Sequence, residues 1–333
     1  MNDIIAKCQL YLGWEAHDIS IEPLTGGLTN VLYTCMNTRH DQTVVCRIYG
    51  EIDVCRNEEV LLSRILGDKG LSPRVHADWG GGRLEQFLLA KNLSLHEQWE
   101  TGTMQKIAQK LSWLHKTDIP VNTQPAILPR INALVKKCTE NGIDLAPYEP
   151  YVGMMQSFLT KTKAEVGFWL DFVHKVVETN VLFSHNDLHE GNILQNISDK
   201  SVTLIDYEYA AYNYLSFDIA NHFCEWMFDY DVNHDPYFTY IPSNWPCDKT
   251  IATFLYFYHG SKNLDKVFLE DLINEIKHFA LVSHITWTLW ALSMGVTNIN
   301  FNYTSFASAH MDAFRRLLAT TNQTSHCKIS SLR

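Results

Sequence analysis

Over residues 1–90, apolar and β-branched positions gather in short runs separated by turn residues. These are ISIEPL at 19–24, TNVLYTC at 29–35 and TVVCRIY at 43–49, each bounded by turn-forming residues. Short runs rich in β-branched and aromatic residues between turn formers predict strands. RNEEVLLSRIL at 56–66 changes the pattern: Val60, Leu61, Ile65 and Leu66 lie near one face of a helix that ends at Gly67 or Gly70. GRLEQFLLA at 82–90 returns to a strand. Beyond Asn92 the periodicity is helical around 95–117, 150–178, 264–294 and 305–319, with one strand-rich insert at 181–206. The pattern predicts an α+β chain with a small β-rich part at 1–90 and a larger, mostly helical part at 91–333.

From Phe279 to Met311 there is no Asp, Glu, Lys or Arg, and FALVSHITWTLWALSMGV is nearly long enough to span a bilayer. His278, Ser283, His284, Thr286 and Thr288 interrupt it, and no positive cluster flanks it, so a buried helix is expected rather than a membrane span. At 333 residues and 46% hydrophobic the chain can bury a core of that kind. The formal net charge of −10 argues against nucleic acid as a partner, because phosphate-backbone binders concentrate Lys and Arg; the same field suits a cationic ligand. Eight cysteines without a CxxC pair, and an N-terminus without a basic segment leading into an apolar one, predict reduced thiols in a cytoplasmic protein.

The candidate chemistry lies in LFSHNDLHEGNIL, followed by VTLIDYEY. Asp187 and Asn192 are five positions apart, and a second acid, Asp206, ends an apolar strand. Phosphoryl transfer needs a carboxylate to accept or orient the attacking hydroxyl, and an amide and another carboxylate to hold Mg²⁺ against phosphates. The protein-kinase loop H-R-D-x-x-x-x-N has the same interval. Upstream, the LTGGLTN loop (Gly26, Gly27, Thr29, Asn30) offers backbone N–H groups from Thr25 to Asn30 as phosphate donors. Arg47 occupies the strand where a kinase keeps its phosphate-binding lysine, and Glu59 lies on the next helix, where a partnering carboxylate would sit.

SHNDLHEGNIL, IDYEYAAYNYLSFDIANHFCEW and the pair Trp287 and Trp290 resemble the choline/ethanolamine kinase family, over nearly the whole chain up to about Phe314. The resemblance implies a protein-kinase-like bilobal fold, with an N-terminal ATP-binding lobe at 1–90 and a C-terminal lobe at 91–333 carrying the catalytic loop and an amino-alcohol pocket. It implies Asp187 as catalytic base, Asn192 and Asp206 on Mg²⁺, Arg47 on the ATP phosphates, and the adenine edge against backbone near Glu85 to Phe87, Gln86 included. Family members often carry Gln where this chain has His189, which stays in the candidate catalytic set as a donor to phosphate or substrate hydroxyl. They often carry Tyr at the position of Phe306. Asp218, just inside a helix start, is expected to cap that helix or to brace the catalytic loop.

A quaternary ammonium has no N–H to donate, so it is held by aromatic faces and a negative charge, whereas ethanolamine needs hydrogen-bond acceptors. Tyr209, Tyr230, Trp287, Trp290, Phe301, Tyr303 and Phe306 are the candidate aromatic walls, and Glu225 is the counter-charge that the resemblance implies. HFCEWMFDY is more similar to choline kinases than to ethanolamine kinases, so choline is the expected substrate, phosphocholine for phosphatidylcholine synthesis the product, and some ethanolamine turnover is expected. A homodimer is a further expectation. The competing readings are a kinase of an aminoglycoside or other alcohol, a catalytically dead binding module and a membrane-embedded protein.

Overall fold

The structure, a computed structural model, describes residues 1–24, 30–50, 56–160, 181–295 and 300–330, with the side chains of 56–59 and 322–330 outside the description. The chain separates into two compact units: Met1–Asn92 with Ile193–Glu208, and Leu93–Asn192 with Tyr209–Arg333.

In the first unit the β-prone runs form β1 (Ile19–Leu24), β2 (Asn30–Asn37), β3 (Gln42–Tyr49) and β5 (Gly82–Gln86), which with β4 (Val75–Trp79) make an antiparallel sheet in the order β1-β2-β3-β5-β4. The turn between β2 and β3 is closed by Asn37, whose Oδ1 accepts from the N–H groups of Arg39 and His40 at 3.0 and 3.1 Å. A helix at Asn2–Leu12, absent from the pattern above, lays Ile4 and Cys8 on the sheet face built by Cys35, Val44, Cys46, Ala77 and Leu84. Burying a Leu or Ile of this kind contributes roughly 1.5–3 kcal/mol. β4 was also missed, because VHADW mixes charge with its apolar positions. A smaller sheet, β6 (Ala90–Asn92), β8 (Ile193–Asn196) and β9 (Val202–Leu204), completes the unit; Ile193 pairs with Leu204, so the chain leaves this hairpin at the end where it entered and reaches Asp206 two residues later.

The second unit is helical. Thr101–His115 and Lys266–Met294 fall where periodicity placed helices, and Glu149–Thr160 covers the described part of the expected 150–178. Ile127–Glu140 and Asp248–His259 were not anticipated. The charge-free stretch resolves as a buried helix: Phe279 to Leu289 is buried on every side, packed by Leu215–Glu225, Ile127–Glu140 and Tyr303–Ser330. Its hydroxyl groups are satisfied, whereas His284 Nε2 is buried without a hydrogen-bond partner among the described residues. Thr286 and Thr288 hydroxyls donate to the carbonyls of Val282 and His284, both at 2.8 Å, and Ser283 Oγ donates to Asn221 Oδ1 at 2.8 Å. No helix among the described residues is long and apolar enough to cross a membrane. The described cysteines, Cys8, Cys35, Cys46, Cys138, Cys224 and Cys247, are free thiols.

Candidate active site

In the second unit β7 (Val181–Ser184) pairs with β10 (Ala211–Tyr214), and the segment His185–Asn192 leaves the end of β7 beside Ala211. Asn186 takes a left-handed conformation (φ 65°), which Asn tolerates better than most residues. Its side chain ties the loop down: Nδ2 donates to the carbonyls of Tyr209 (3.0 Å) and Ala211 (3.3 Å), and Oδ1 accepts from Asn213 Nδ2 (2.8 Å). Asp218 does not cap its own helix, whose first turn has no side-chain cap. It accepts instead from the N–H groups of His185 (2.9 Å) and Asn186 (2.6 Å), and His115 Nε2 bonds it at 2.8 Å. Burial alone would raise the Asp218 pKa, but the His115 bond and charge, the His185 charge and the His185 N–H outweigh it and hold the carboxyl below its ordinary value. His222 Nδ1 donates to Leu188 O at 3.0 Å, a second brace.

Within the loop, Asn192 Nδ2 donates to Asp187 O (2.8 Å) and Oδ2 (3.3 Å). The Asn192 NH₂ is thus committed, and its Oδ1 is the atom left for a cation. Gly191 N–H donates to His189 Nδ1 at 3.1 Å, so the neutral imidazole carries its proton on Nε2. Burial and the charge of His185 lower the His189 pKa to about 4, which makes it a neutral N–H donor at pH 7. A side chain at position 191 would strike this ring, its Cβ falling 2.7 Å from His189 Cε1.

Every aromatic candidate joins one connected cluster in this unit. Tyr209 meets Trp287 (ring centroids 5.6 Å), Trp287 meets Trp290 (5.3 Å), and Trp290 meets Tyr303 (5.6 Å) and Phe306 (6.3 Å). Phe301 contacts Tyr303 (5.1 Å) and Phe306 (5.2 Å), and Tyr230 contacts Phe306 at 6.3 Å. The members differ in exposure: Trp287 and Phe306 are buried, at 7% and 3%, whereas Tyr209, Tyr230, Trp290, Phe301 and Tyr303 are only partly covered. The two tryptophans are therefore not equivalent walls. Trp287 Nε1 donates to Asn221 Oδ1 (2.7 Å) in the core, and Trp290 Nε1 to Tyr209 Oη (3.0 Å). Tyr230 Oη donates to Glu225 Oε2 at 2.7 Å, and Tyr230 touches His189 (5.7 Å), so the loop and the cluster meet. Burial pushes the Glu225 pKa up to about 7, the Tyr230 bond opposing it.

The first unit holds the remaining candidates. Asp206 also has a left-handed backbone (φ 62°), and among the described residues no hydrogen bond or ion pair engages its carboxylate. Arg47 is partnered by Glu85 of β5, with Nη2 at 3.1 Å and Nε at 3.3 Å from Oε1, while Arg83 Nε donates to Oε2 at 2.8 Å. Burial would raise the Glu85 pKa, but the two guanidinium groups hold it below its usual value. The Gln86 N–H is committed to Arg74 O (2.8 Å) and cannot serve a base edge. Asn30 lies at the start of β2, its Oδ1 accepting from Gly50 N–H at 3.4 Å. Gly26, Gly27, Thr29 and the Glu59 side chain lie outside the described residues.

The family model for choline/ethanolamine kinase matches residues 21–315. The chain belongs to the choline/ethanolamine kinase family. A rat choline/ethanolamine kinase is 30% identical over 336 residues, covering 92% of this chain and 84% of its own. The choline kinase of Cryptosporidium parvum has the same fold, with a TM-score of 0.83, 24% identity and 97% of both chains covered. An ethanolamine kinase of Plasmodium vivax superposes with a TM-score of 0.70 at 21% identity, covering 91% of this chain and 85% of its own.

Several residues that shape this choline/ethanolamine kinase site escaped the sequence reading. Arg130 Nη2 donates to Tyr209 O (2.8 Å), and its guanidinium lies 5.1 Å from the Tyr209 ring centroid. Arg130 also lines, with Asn186, Tyr209, Trp287 and Trp290, a small cavity of about 70 Å³. His115, Asn213 and Asn221 act on the site through distant partners, His115 with Asp218 103 positions away, Asn213 with Asn186 27 away and Asn221 with Trp287 66 away, so no local motif could reveal them. Glu190 was in view inside the HNDLHEGN motif, yet its environment was not.

Proposed function

We propose that this protein transfers the γ-phosphoryl group of ATP to the hydroxyl of choline, giving phosphocholine for phospholipid synthesis, with ethanolamine as a second substrate. The observation that carries this reading is the contact of His189 with Tyr230, which joins the Asp187 loop to the aromatic cluster and Glu225 within one unit. Relatives named choline/ethanolamine kinase support it. Asp187 accepts the proton of the attacking hydroxyl. Neutral His189 donates its Nε2–H to a phosphate oxygen or to that hydroxyl. The cation is faced by aromatic rings and balanced by Glu225. Gly26, Gly27, Thr29, Asn30, Arg47 and Glu59 serve ATP, Arg47 sharing its guanidinium between Glu85 and phosphate.

The donor set suits Mg²⁺. Asn192 Oδ1 and the uncommitted Asp206 carboxylate are hard oxygen ligands, and Mg²⁺ normally takes only one or two protein groups alongside nucleotide phosphates. No cluster of three or more His, Cys, Asp or Glu fit to hold a metal unaided exists among the described residues. When bound, Mg²⁺ would neutralise charge on the transferred phosphoryl group. The test is ADP release with choline, ethanolamine and a panel of aminoglycosides. Turnover is expected with choline first and ethanolamine second; activity confined to aminoglycosides, or none with any alcohol, overturns the proposal.

A further inference from the structure

Glu190 sits in the catalytic loop, three residues after Asp187, and is 8% exposed. Burial raises its pKa, and the backbone N–H groups of Glu190 and Tyr230, which face the carboxyl, oppose that rise only in part. One carboxyl oxygen, Oε2, is buried and has no hydrogen-bond partner. An unpartnered carboxyl oxygen in such a place is costly unless something outside the chain pairs with it. The residues around it narrow what that is. Tyr230, whose backbone N–H faces Glu190, uses its hydroxyl to hold Glu225, itself 3% exposed, and the charges of Glu225 and Asp229 act on Glu190. No Lys, Arg or His forms an ion pair with Glu190 or Glu225 among the described residues. Two buried acids without a cation, beside partly covered rings, call for a cationic ligand that brings its own N–H donors.

We infer that Glu190 is a specificity-determining residue: its unpaired Oε2 accepts an N–H from the ammonium group of substrates that have one, which lets the site take a primary amine as well as a quaternary one. The inference rests on the amino-alcohol kinase reading. Choline gains only the negative potential at this position, whereas ethanolamine gains a charge-assisted hydrogen bond, and the methylated intermediates fall between them in the number of N–H groups they bring.

The experiment compares KM for choline, N,N-dimethylethanolamine, N-methylethanolamine and ethanolamine in wild type and in Glu190→Gln. With the glutamine carbonyl turned toward the two backbone N–H groups that face it, the NH₂ takes the open position, replacing an acceptor by a donor. The ratio of ethanolamine KM to choline KM is expected to rise roughly tenfold or more, graded along the series, which is the scale of a lost hydrogen bond to a charged group. Glu190→Asp, which withdraws the oxygen by one methylene and keeps the charge, should move the ratio in the same direction, and it carries the test if the glutamine variant does not fold. A purely structural loop residue would lower kcat for all four amines in proportion; an unchanged KM ratio in both variants overturns the inference. If the wild type turns over none of the four amines, the amino-alcohol reading itself falls, and an active wild type with an unmoved ratio removes Glu190 alone.

Discussion

Replacing Trp290 by alanine should separate a substrate wall from a core support, because its neighbour Trp287 provides the control. Trp290 is partly exposed, and its side chain donates from Nε1 to Tyr209 Oη at 3.0 Å. Trp287 is 7% exposed and packs in the core cluster that contains Met227, Phe228 and Phe306. Deleting a buried tryptophan costs about 3–5 kcal/mol through lost transfer energy and the cavity left behind. The half-covered Trp290 should cost about half of that. A π-face against a partly desolvated cation is worth about 0.5–2 kcal/mol, so Trp290→Ala should raise the choline KM roughly two- to thirtyfold. The ATP KM should stay within about twofold. Trp287→Ala should first lower the denaturation midpoint and yield of folded protein. Denaturant unfolding, with KM for choline, ethanolamine and ATP on both variants, decides the matter. If Trp290→Ala destabilises as much as Trp287→Ala while its choline KM is unchanged, both tryptophans are core and the aromatic wall is wrongly placed.

Asp187→Asn should leave ATP binding nearly intact and lower kcat by roughly 10²- to 10⁴-fold, measured by coupled ADP release; near-normal turnover removes it as base. Asp206→Ala should abolish Mg²⁺-supported turnover, and an unchanged magnesium titration contradicts its assignment. Glu225, with its pKa near 7, is largely neutral at pH 6 and largely ionised at pH 8, so the choline KM should fall by up to about tenfold as pH rises from 6 to 7.5; Glu225→Gln should raise KM and flatten that profile. Asp218 titrates below its ordinary 3.8, so its ionised form stabilises the fold above that value, and the contribution is lost as pH falls through the depressed pKa. Asp218→Asn should flatten the acid limb of stability and lower kcat at neutral pH.

What could be read along the chain was what local periodicity and spacing encode. β1, β2, β3 and β5 and the long helices carry their own apolar repeat, and the Asp187 to Asn192 interval is a property of one loop. The helix Asp248–His259 was lost because its aromatic-rich FLYFYH fits a strand as well as a helix, and only packing decides between them. Arg47 shows the same limit at the level of side chains. Its strand was evident, but its described partner, Glu85, lies 38 positions away on β5, across a pairing that only the sheet order β2-β3-β5-β4 creates. The polar interruptions of 279–311 are informative in retrospect: Ser283, Thr286 and Thr288 are tolerated because a helix can satisfy a hydroxyl on its own preceding turn, and neighbours such as Asn221 supply the rest.

The loop His185–Asn192 carries two demands that pull in different directions. In the proposed mechanism Asp187 must remain available to a hydroxyl, while Glu190 and Glu225 stay buried with no ion-pair partner among the described residues; burial raises both pKa values, and the charge of Glu225 adds to the rise at Glu190. A flexible segment would relieve the strain by turning Glu190 to water. The bonds from Asp218 to the His185 and Asn186 N–H groups, from His222 to Leu188, and from Asn186 to Tyr209 and Ala211 prevent this, and all of them come from outside the loop. Stability is thus invested in keeping two carboxyl groups buried together, and in the proposed reading an ammonium ion offsets that cost on binding. The affinity of the site for a cation is therefore as much a property of these buried braces as of the rings that would touch the substrate.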